Sequence, residues 1–213
     1  MKTEKYITQQ LRLPQTGKQI IAQTNNSNII VYQAFNKNIA HYAIANQQFG
    51  GNHYSFNRMS WIKPGFLWMM YRSGWASKQQ QEHILAITTS LEHFKMILQQ
   101  ATISSFDPDL FDTHENWKAE LEKTEVRLQW DPDHNPFGMK QERKAIQLGM
   151  KGEILKQFCT EWIIKIEDIT PFVKQEFQKL KDNSLEDLNV PFEEIITINE
   201  IEILKRIGLN KEL

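Results

Sequence analysis

Residues 60–77 read SWIKPGFLWMMYRSGWAS, the most apolar stretch of the sequence. It combines three tryptophans, two methionines, a phenylalanine and a tyrosine with the cations Lys63 and Arg72, and Lys78 follows directly. Such a composition predicts a buried helix that begins after Pro64. Two interpretations of the cations remain open: their charged ends extend to solvent from a packed core, or they bind an anion.

The composition is that of an ordinary globular protein. The chain has 213 residues, of which 40% are hydrophobic and 24% are charged, and no linker-like or repeated segment divides it. We therefore expect a single domain over residues 1–213. Its central part spans about residues 20–175, and a helical extension covers 176–213.

The location of the protein is predicted from what the sequence lacks. No apolar run reaches the roughly 18 residues of a membrane span, and the first residues do not resemble a signal peptide. Cys159 is the only cysteine, so no internal disulfide can form. These features predict a cytoplasmic protein without a membrane partner.

Charge is divided unevenly along the chain. Residues 1–100 carry seven lysines and three arginines against three glutamates, a net charge of +7, whereas the rest carries −8. An asymmetry of this size predicts that the first half faces an anion. Mutual attraction between the two halves is the alternative.

Strand and helix patterns mix throughout the chain. Strands are predicted at 28–35, 58–64, 83–90, 126–133, 144–150 and 161–170. Helices are predicted after residue 36, after Pro64, and at 91–101, 114–123, 152–159 and 171–181, while 1–28 is predicted to be a polar lead-in. The fold class is therefore α+β, with a split mixed or antiparallel sheet flanked by helices. In the last strand, alternation places Trp162, Ile164 and Ile166 on one face.

Polar residues inside the predicted strands are candidate site residues. Gln129 and Asp131 lie two positions apart and so share one face of their strand. They either line a ligand site or belong to a solvated sheet face. Gln33 and Gln147 interrupt apolar strands, where a buried amide needs partners; the partners are either protein groups or a ligand.

The cations and aromatic residues of 58–78 are the candidate cofactor-binding set. Arg58, Lys63 and Arg72 would neutralise a pyrophosphate, and Trp61 or Tyr71 would stack on an aromatic ring. The sequence has none of the common phosphate-binding glycine motifs or metalloprotease motifs. Two Asp-Pro segments, at residues 107–114 and 131–134, are predicted to be turns; a weak cation site formed by their Asp oxygens is the alternative. We expect no metal site.

Five motifs resemble one family of uncharacterised bacterial and fungal proteins, known as a domain of unknown function. They are RMSWIKPGFLWMMYRSGWASK, QEHILAI, VRLQWDPD, KAIQLGM and EWIIKIEDIT. The family signature reads RMTWIKPSFLWMMYRSGWA, QWDPER, RSIQIGL and EWIVSIEDVT, in the same order over about residues 20–175. This chain departs from it at Gly65, at His134 and at Lys144–Ala145. The resemblance supplies a family and no established activity.

The order of elements is also similar to that of ADP-ribosyltransferases, whose split sheet grips NAD. That resemblance implies that Asp131 stabilises the ribosyl cation that develops when the nicotinamide–ribose bond breaks, with Gln129 positioning it. In such enzymes the residue at Asp131 is usually Glu, and that at Gln33 is Arg or His.

The leading hypothesis is an NAD-dependent ADP-ribosyltransferase-like enzyme. The rival hypothesis is a non-catalytic module that binds a nucleotide or RNA through the same basic, aromatic surface. A third is a structural or interaction protein whose tryptophans are only core. The sequence does not define an oligomeric state.

Overall fold

The computed structural model describes residues 1–209, in which helices and strands mix as expected for an α+β fold. The strands are β1 (Thr3–Lys5), β2 (Ile21–Asn25), β3 (Asn28–Phe35), β4 (Ser60–Ile62), β5 (His83–Ser90), β6 (Ala101–Ile103), β7 (Val126–His134), β8 (Lys140–Met150), β9 (Ile163–Asp168), β10 (Asn189–Pro191) and β11 (Glu194–Ile195). The α-helices are α1 (Tyr6–Arg12), α2 (Lys37–Asn46), α3 (Phe66–Ser73), α4 (Leu91–Gln99), α5 (His114–Lys123), α6 (Gly152–Gln157), α7 (Thr170–Lys181) and α8 (Ile201–Arg206). A π-helical turn over Phe158–Trp162 follows α6.

Two main sheets confirm the predicted split. One has five antiparallel strands in the order β11-β2-β3-β5-β9. The other has the order β4-β8-β7-β6, with β6 parallel to β7 and the remaining pairs antiparallel. β1 and β10 form a separate antiparallel pair. Together the strands and helices form one compact α+β domain.

Backbone hydrogen bonds join the two sheets between Tyr32 and Lys63. The Tyr32 amide donates to the Lys63 carbonyl over 2.7 Å, and the Lys63 amide donates to the Tyr32 carbonyl over 3.1 Å. On this edge of β3, residues 28–30 pair with β2. Strands β3 and β4 therefore meet where β2 ends, and they separate again beyond Tyr32.

Strand β3 is buried on both faces, which explains its continuous apolar sequence. Ile29 and Val31 pack into one hydrophobic cluster, which also contains apolar residues of the four-stranded sheet and of α4. Ile30 and Tyr32 pack into a second cluster with residues of α3 and α7. Because successive side chains of a strand point to opposite faces, β3 contributes to both hydrophobic clusters.

Helix α3 confirms the buried helix predicted from the tryptophan-rich segment. Its first five residues are all buried, and Gly74 ends it in the left-handed conformation with φ of 58°. Its first amide, of Phe66, donates to Glu193 Oε1 over 2.7 Å. A carboxyl group from the C-terminal part of the chain therefore anchors the start of this helix.

The chain termini differ from the prediction. The polar lead-in contains β1, α1 and β2, and the predicted helical extension contributes β10 and β11 besides its helices. Glu4 lies opposite Val190, and Ala22 lies opposite Glu194, so each terminus completes the other. These strands are short and pair over a long sequence separation, so no local pattern reveals them. Residues 210–213 of the predicted domain lie outside the described range.

The predicted common face of Trp162, Ile164 and Ile166 is wrong. Trp162 belongs to the π-helical turn, and Ile164 is 55% exposed whereas Ile166 is 3% exposed. Thr88 pairs with Lys165 and Thr89 pairs with Ile163, so β9 has one extra residue at this point. Such a β-bulge breaks the alternation of side chains.

Because of the bulge, we expect Ile164 and Ile166 to contribute unequally to the free energy of unfolding. Ile166→Ala should lower the free energy of unfolding by about 2–5 kcal/mol because it leaves a cavity. Ile164→Ala should change it by less than about 0.5 kcal/mol because that side chain is exposed. Urea denaturation of both variants measures the difference, and equal losses would contradict the bulge.

Burial of Glu193 should make stability depend on pH. Burial raises the pKa of Glu193 to about 8; the Phe66 amide and Arg143 act in the opposite direction, while Asp133 and Glu4 add to the rise. Since the folded state then holds a proton that the unfolded state loses near pH 4.5, stability from this group falls as pH rises from about 4.5 to 8.

Glu193→Gln should remove this loss, because the amide cannot ionise and its oxygen can still accept from Phe66. Urea denaturation at pH 5, 7 and 9 should show the variant gaining stability relative to the wild type as pH rises. Comparison with the wild type cancels the effects of other titrating groups. If the free energy of unfolding depended on pH equally in the two proteins, Glu193 would ionise in the folded state as it does in the unfolded state.

Candidate functional site

A cleft of about 640 Å³ opens where β3 and β4 separate beyond the Tyr32–Lys63 contact. Its volume is in the range of small-molecule sites. Its walls are the end of β3 with the start of α2, the segment before β4, β4 itself, α3 and one residue of β8. The lining residues are Gln33, Ala34, Phe35, Asn36, Ile39, His53, Tyr54, Ser55, Arg58, Met59, Ser60, Trp61, Lys63, Met69, Arg72, Gln80, Gln81 and Gln147.

Six of the nine predicted site residues line this cleft, although they come from four separate parts of the chain. They are Gln33, Arg58, Trp61, Lys63, Arg72 and Gln147. Tyr71, Gln129 and Asp131 are not among its lining residues. The cationic and aromatic segment therefore shares one hollow with the two strand glutamines.

The cleft is positively charged. Arg58, Lys63 and Arg72 line it, and none of its lining residues is Asp or Glu. Within residues 1–209, none of these three cations forms an ion pair with a carboxylate. Three cations that face one hollow without counterions create a potential that attracts anions.

Lys63 is the most deeply placed of the three cations, with 4% of its surface exposed. Burial lowers its pKa to about 7; the charge of Arg72 adds to the decrease, and the charge of Asp131 opposes it. A buried ammonium loses part of its hydration, and the attraction of Asp131 compensates for this loss only in part, so the neutral amine becomes more favourable.

Arg72 and Arg58 lie nearer the solvent. Arg72 is on the last turn of α3 and makes a long hydrogen bond, 3.4 Å, from Nη1 to Gln81 Oε1. Arg58 precedes β4 and is exposed. Guanidinium groups in this setting can reorient to bind a phosphate through two parallel hydrogen bonds.

Trp61 lies flat against strand β8 because its neighbour there, Gly149, has no side chain. A Cβ atom at Gly149 would stand 2.6 Å from Trp61 Cε2 and 2.7 Å from the Met59 sulfur. The glycine therefore makes room for the indole, which is half-buried and forms part of the cleft wall.

Tyr54 is part of an aromatic wall that the sequence analysis missed. Its ring stacks on Phe49 at 5.2 Å and meets the edges of Phe35 and Phe56. Its hydroxyl lies 3.3 Å from the buried Cys159 sulfur. Burial raises the pKa of Tyr54 above its ordinary value, so the ring presents a neutral surface. Only its proximity to Arg58 in the sequence could have indicated this role.

Gln33 confirms that the buried strand amide has protein partners. Its Nε2 donates to Ser60 Oγ over 2.8 Å and to the Trp61 carbonyl over 3.2 Å. Its Oε1 is buried and has no partner within the described residues. These bonds tie β3 to β4 beyond the backbone contact, and they leave one acceptor without a donor.

Gln147 connects the cleft to the predicted catalytic pair. Its Nε2 donates to Gln129 Oε1 and to Asp131 Oδ2, each over 2.6 Å. Gln129 and Asp131 themselves border a smaller hollow of about 230 Å³ beside residues 103–107. Asp131 thus lies one hydrogen bond from the cleft wall, close enough for its charge to act on Lys63.

Tyr71 faces away from the cleft, in another hollow lined by Phe137 and Phe177. Its ring stacks on His134 with centroids 3.5 Å apart, and Trp68 is parallel to both rings. A nucleotide in the cleft would therefore meet Trp61 rather than Tyr71.

The two Asp-Pro segments adopt different secondary structures. Residues 107–110 form a turn, whereas 131–134 continue strand β7, where Asp133 forms a buried ion pair with Arg143 at 2.6 Å. Within residues 1–209, no three His, Cys, Asp or Glu side chains are grouped to hold a metal ion. In the same range, none of the helices has the length and apolar content of a membrane span.

Comparison with known families agrees with the motifs. A family model described as "Domain of unknown function (DUF4291)" matches residues 19–196, which includes every residue lining the cleft. No curated protein matches the chain. The matched region covers most of the sequence, so the chain belongs to the DUF4291 family.

Proposed function

We propose that the cleft binds a nucleotide, and that NAD is its candidate ligand. The observation that supports this is a hollow lined by three cations and no carboxylate, in which none of the cations forms an ion pair with any residue from 1 to 209. A pyrophosphate would supply the missing negative charge to Arg58, Lys63 and Arg72. The indole of Trp61 and the ring of Tyr54 offer surfaces for a base.

The dimensions of the cleft favour a small ligand over RNA. It is a bounded hollow of about 640 Å³, whereas single-stranded nucleic acid usually follows an extended groove along which several bases stack. All three cations are concentrated within this hollow. The binding test below distinguishes this function from RNA binding.

Transfer of ADP-ribose from NAD is the reaction we propose for this site. Both hydrogen bonds of Gln147 Nε2 use its NH₂ group, which leaves the amide oxygen free to face a ligand. A negatively polarised oxygen at the cleft wall would stabilise the positive charge that develops on the ribose as nicotinamide leaves. Asp131 and Gln129 would orient this amide, so Asp131 acts through Gln147 rather than on the ribose directly.

Titration calorimetry with NAD tests the binding proposal. Wild-type protein should bind, and Arg72→Ala should weaken binding about tenfold or more, because a charge-assisted hydrogen bond contributes about 1.5–3 kcal/mol. Lys118→Ala is the control: Lys118 is an exposed cation of α5 outside the cleft, so its loss changes the net charge equally and should leave affinity unchanged.

Two outcomes would contradict nucleotide binding in the cleft. One is the absence of any heat with NAD at millimolar concentration. The other is an equal loss of affinity in Arg72→Ala and Lys118→Ala, which would indicate attraction by net charge alone. Binding of single-stranded RNA with a steep salt dependence, in the absence of NAD binding, would favour the RNA-binding function.

Release of nicotinamide from NAD tests the proposed reaction. Wild-type protein should release it, and Gln147→Leu should lower the rate about 100-fold or more, as expected when one positioned polar group is lost. Asp131→Asn should lower the rate less, because an amide at that position can still accept from Gln147. Chromatographic quantification of nicotinamide with excess acceptor protein provides the measurement.

Unchanged affinity for NAD in Gln147→Leu would show that the variant is folded and that the loss concerns the reaction. If wild-type protein binds NAD and releases no nicotinamide with any acceptor, the cleft has a binding role only.

A further inference from the structure

Lys63 is a buried amine without a counterion. Its side chain is 4% exposed and borders the cleft. No hydrogen bond from its Nζ and no ion pair to a carboxylate occur within residues 1–209. Buried lysines are rare in folded proteins and are normally paired, whereas the Lys63 amine has no protein partner in this range and meets the cleft instead.

The backbone prevents Lys63 from leaving this position. Its amide and carbonyl both bond to Tyr32 at the junction of the sheets, and Pro64 restricts the conformation of the residue before it. The start of α3 follows at Phe66 and is held by Glu193. The chain therefore presents the amine to the cleft at the cost of its hydration.

The charged groups around Lys63 come from three elements. Arg72 of α3 repels a positive charge on Lys63, and Asp131 of β7 attracts it. Asp131 Oδ2 already accepts from Gln147 of β8, an uncharged neighbour. Arg58, before β4, adds a further positive charge to the same hollow. The local balance thus disfavours the ammonium form until an anion arrives.

We infer that Lys63 is the proton-coupled anion contact of the cleft: it takes up a proton when the phosphate groups of a ligand bind beside it. This inference rests on the proposed nucleotide-binding function and specifies how the same site responds to pH. The proton comes from solvent, and the bound ligand then contacts an ammonium group. Arg58 and Arg72 stay charged throughout, so Lys63 alone of the three cations changes its protonation.

The direction of the pH effect follows from linkage. In the free protein the pKa of Lys63 is lowered to about 7, mainly by burial, so the amine is mostly neutral at pH 8. A bound anion favours the ammonium form and moves the pKa back toward its ordinary value. Binding at pH 8 then takes up about one proton, and affinity falls about fivefold from pH 7 to 8 and about tenfold from pH 8 to 9.

Calorimetric titration with ADP-ribose measures the proton directly. ADP-ribose is suitable because its pyrophosphate has no group that titrates near neutrality. Titrations at pH 8 in Tris, Hepes and imidazole buffers give the number of protons from the dependence of the binding heat on buffer ionisation heat.

Two variants separate the charge of Lys63 from its proton uptake. Lys63→Arg should bind ADP-ribose with no proton uptake and with affinity independent of pH from 7 to 9, since a guanidinium remains charged. Lys63→Met should bind about tenfold or more weakly and take up no proton. Lys118→Met, which changes an exposed lysine outside the cleft, should behave as wild type.

The outcomes distinguish this inference from the proposed function. Wild-type binding without proton uptake, or proton uptake retained in Lys63→Arg, would overturn the inference while nucleotide binding stands. Absence of ADP-ribose binding to wild-type protein would overturn both. About one proton in wild type and none in Lys63→Arg is the result expected.

Discussion

The rest of the structure depends on one backbone contact, the pair of hydrogen bonds between Tyr32 and Lys63. β3 is already paired with β5 on its other edge, so the second sheet can attach only where β2 has ended. Because the backbone pairing is confined to this one residue pair, the two strands can diverge on both sides of it, and only the Gln33 side chain ties β3 to β4 further along. The cleft is the space created by this divergence, and its deepest cation is a member of the contact itself.

This arrangement gives one residue a part in both the fold and the cleft. Lys63 is held in place by the same bonds that join the sheets, and its side chain is largely buried where the sheets converge. α3 continues from it with a buried apolar surface and carries Arg72 back to the cleft. The tryptophan-rich segment is thus core along one side and lines the cleft at its ends.

Much of the fold could be predicted because its signals are local. β5 at residues 83–90 and α5 at 114–123 agree with the sequence patterns, since propensity, capping and period act within a few residues. The terminal strands and the bulge at Ile164 could not, because each depends on a partner far along the chain. The orientation of Tyr71 could not be predicted for the same reason: its ring stacks on His134, which is far away in the sequence.

By itself the sequence determined the fold class, the family motifs and the chemical character of the candidate residues. Side-chain chemistry and alternation along a strand are properties of neighbouring residues, so Gln33, Lys63 and Gln147 could be singled out in advance. Tertiary structure alone decided which of them meet, because the divergence of two sheets brings β3, β4, α3 and β8 around one hollow. It also placed Gln147 between Asp131 and the cleft. The two residues lie on the neighbouring strands β7 and β8, where only Gln147 reaches the cleft wall.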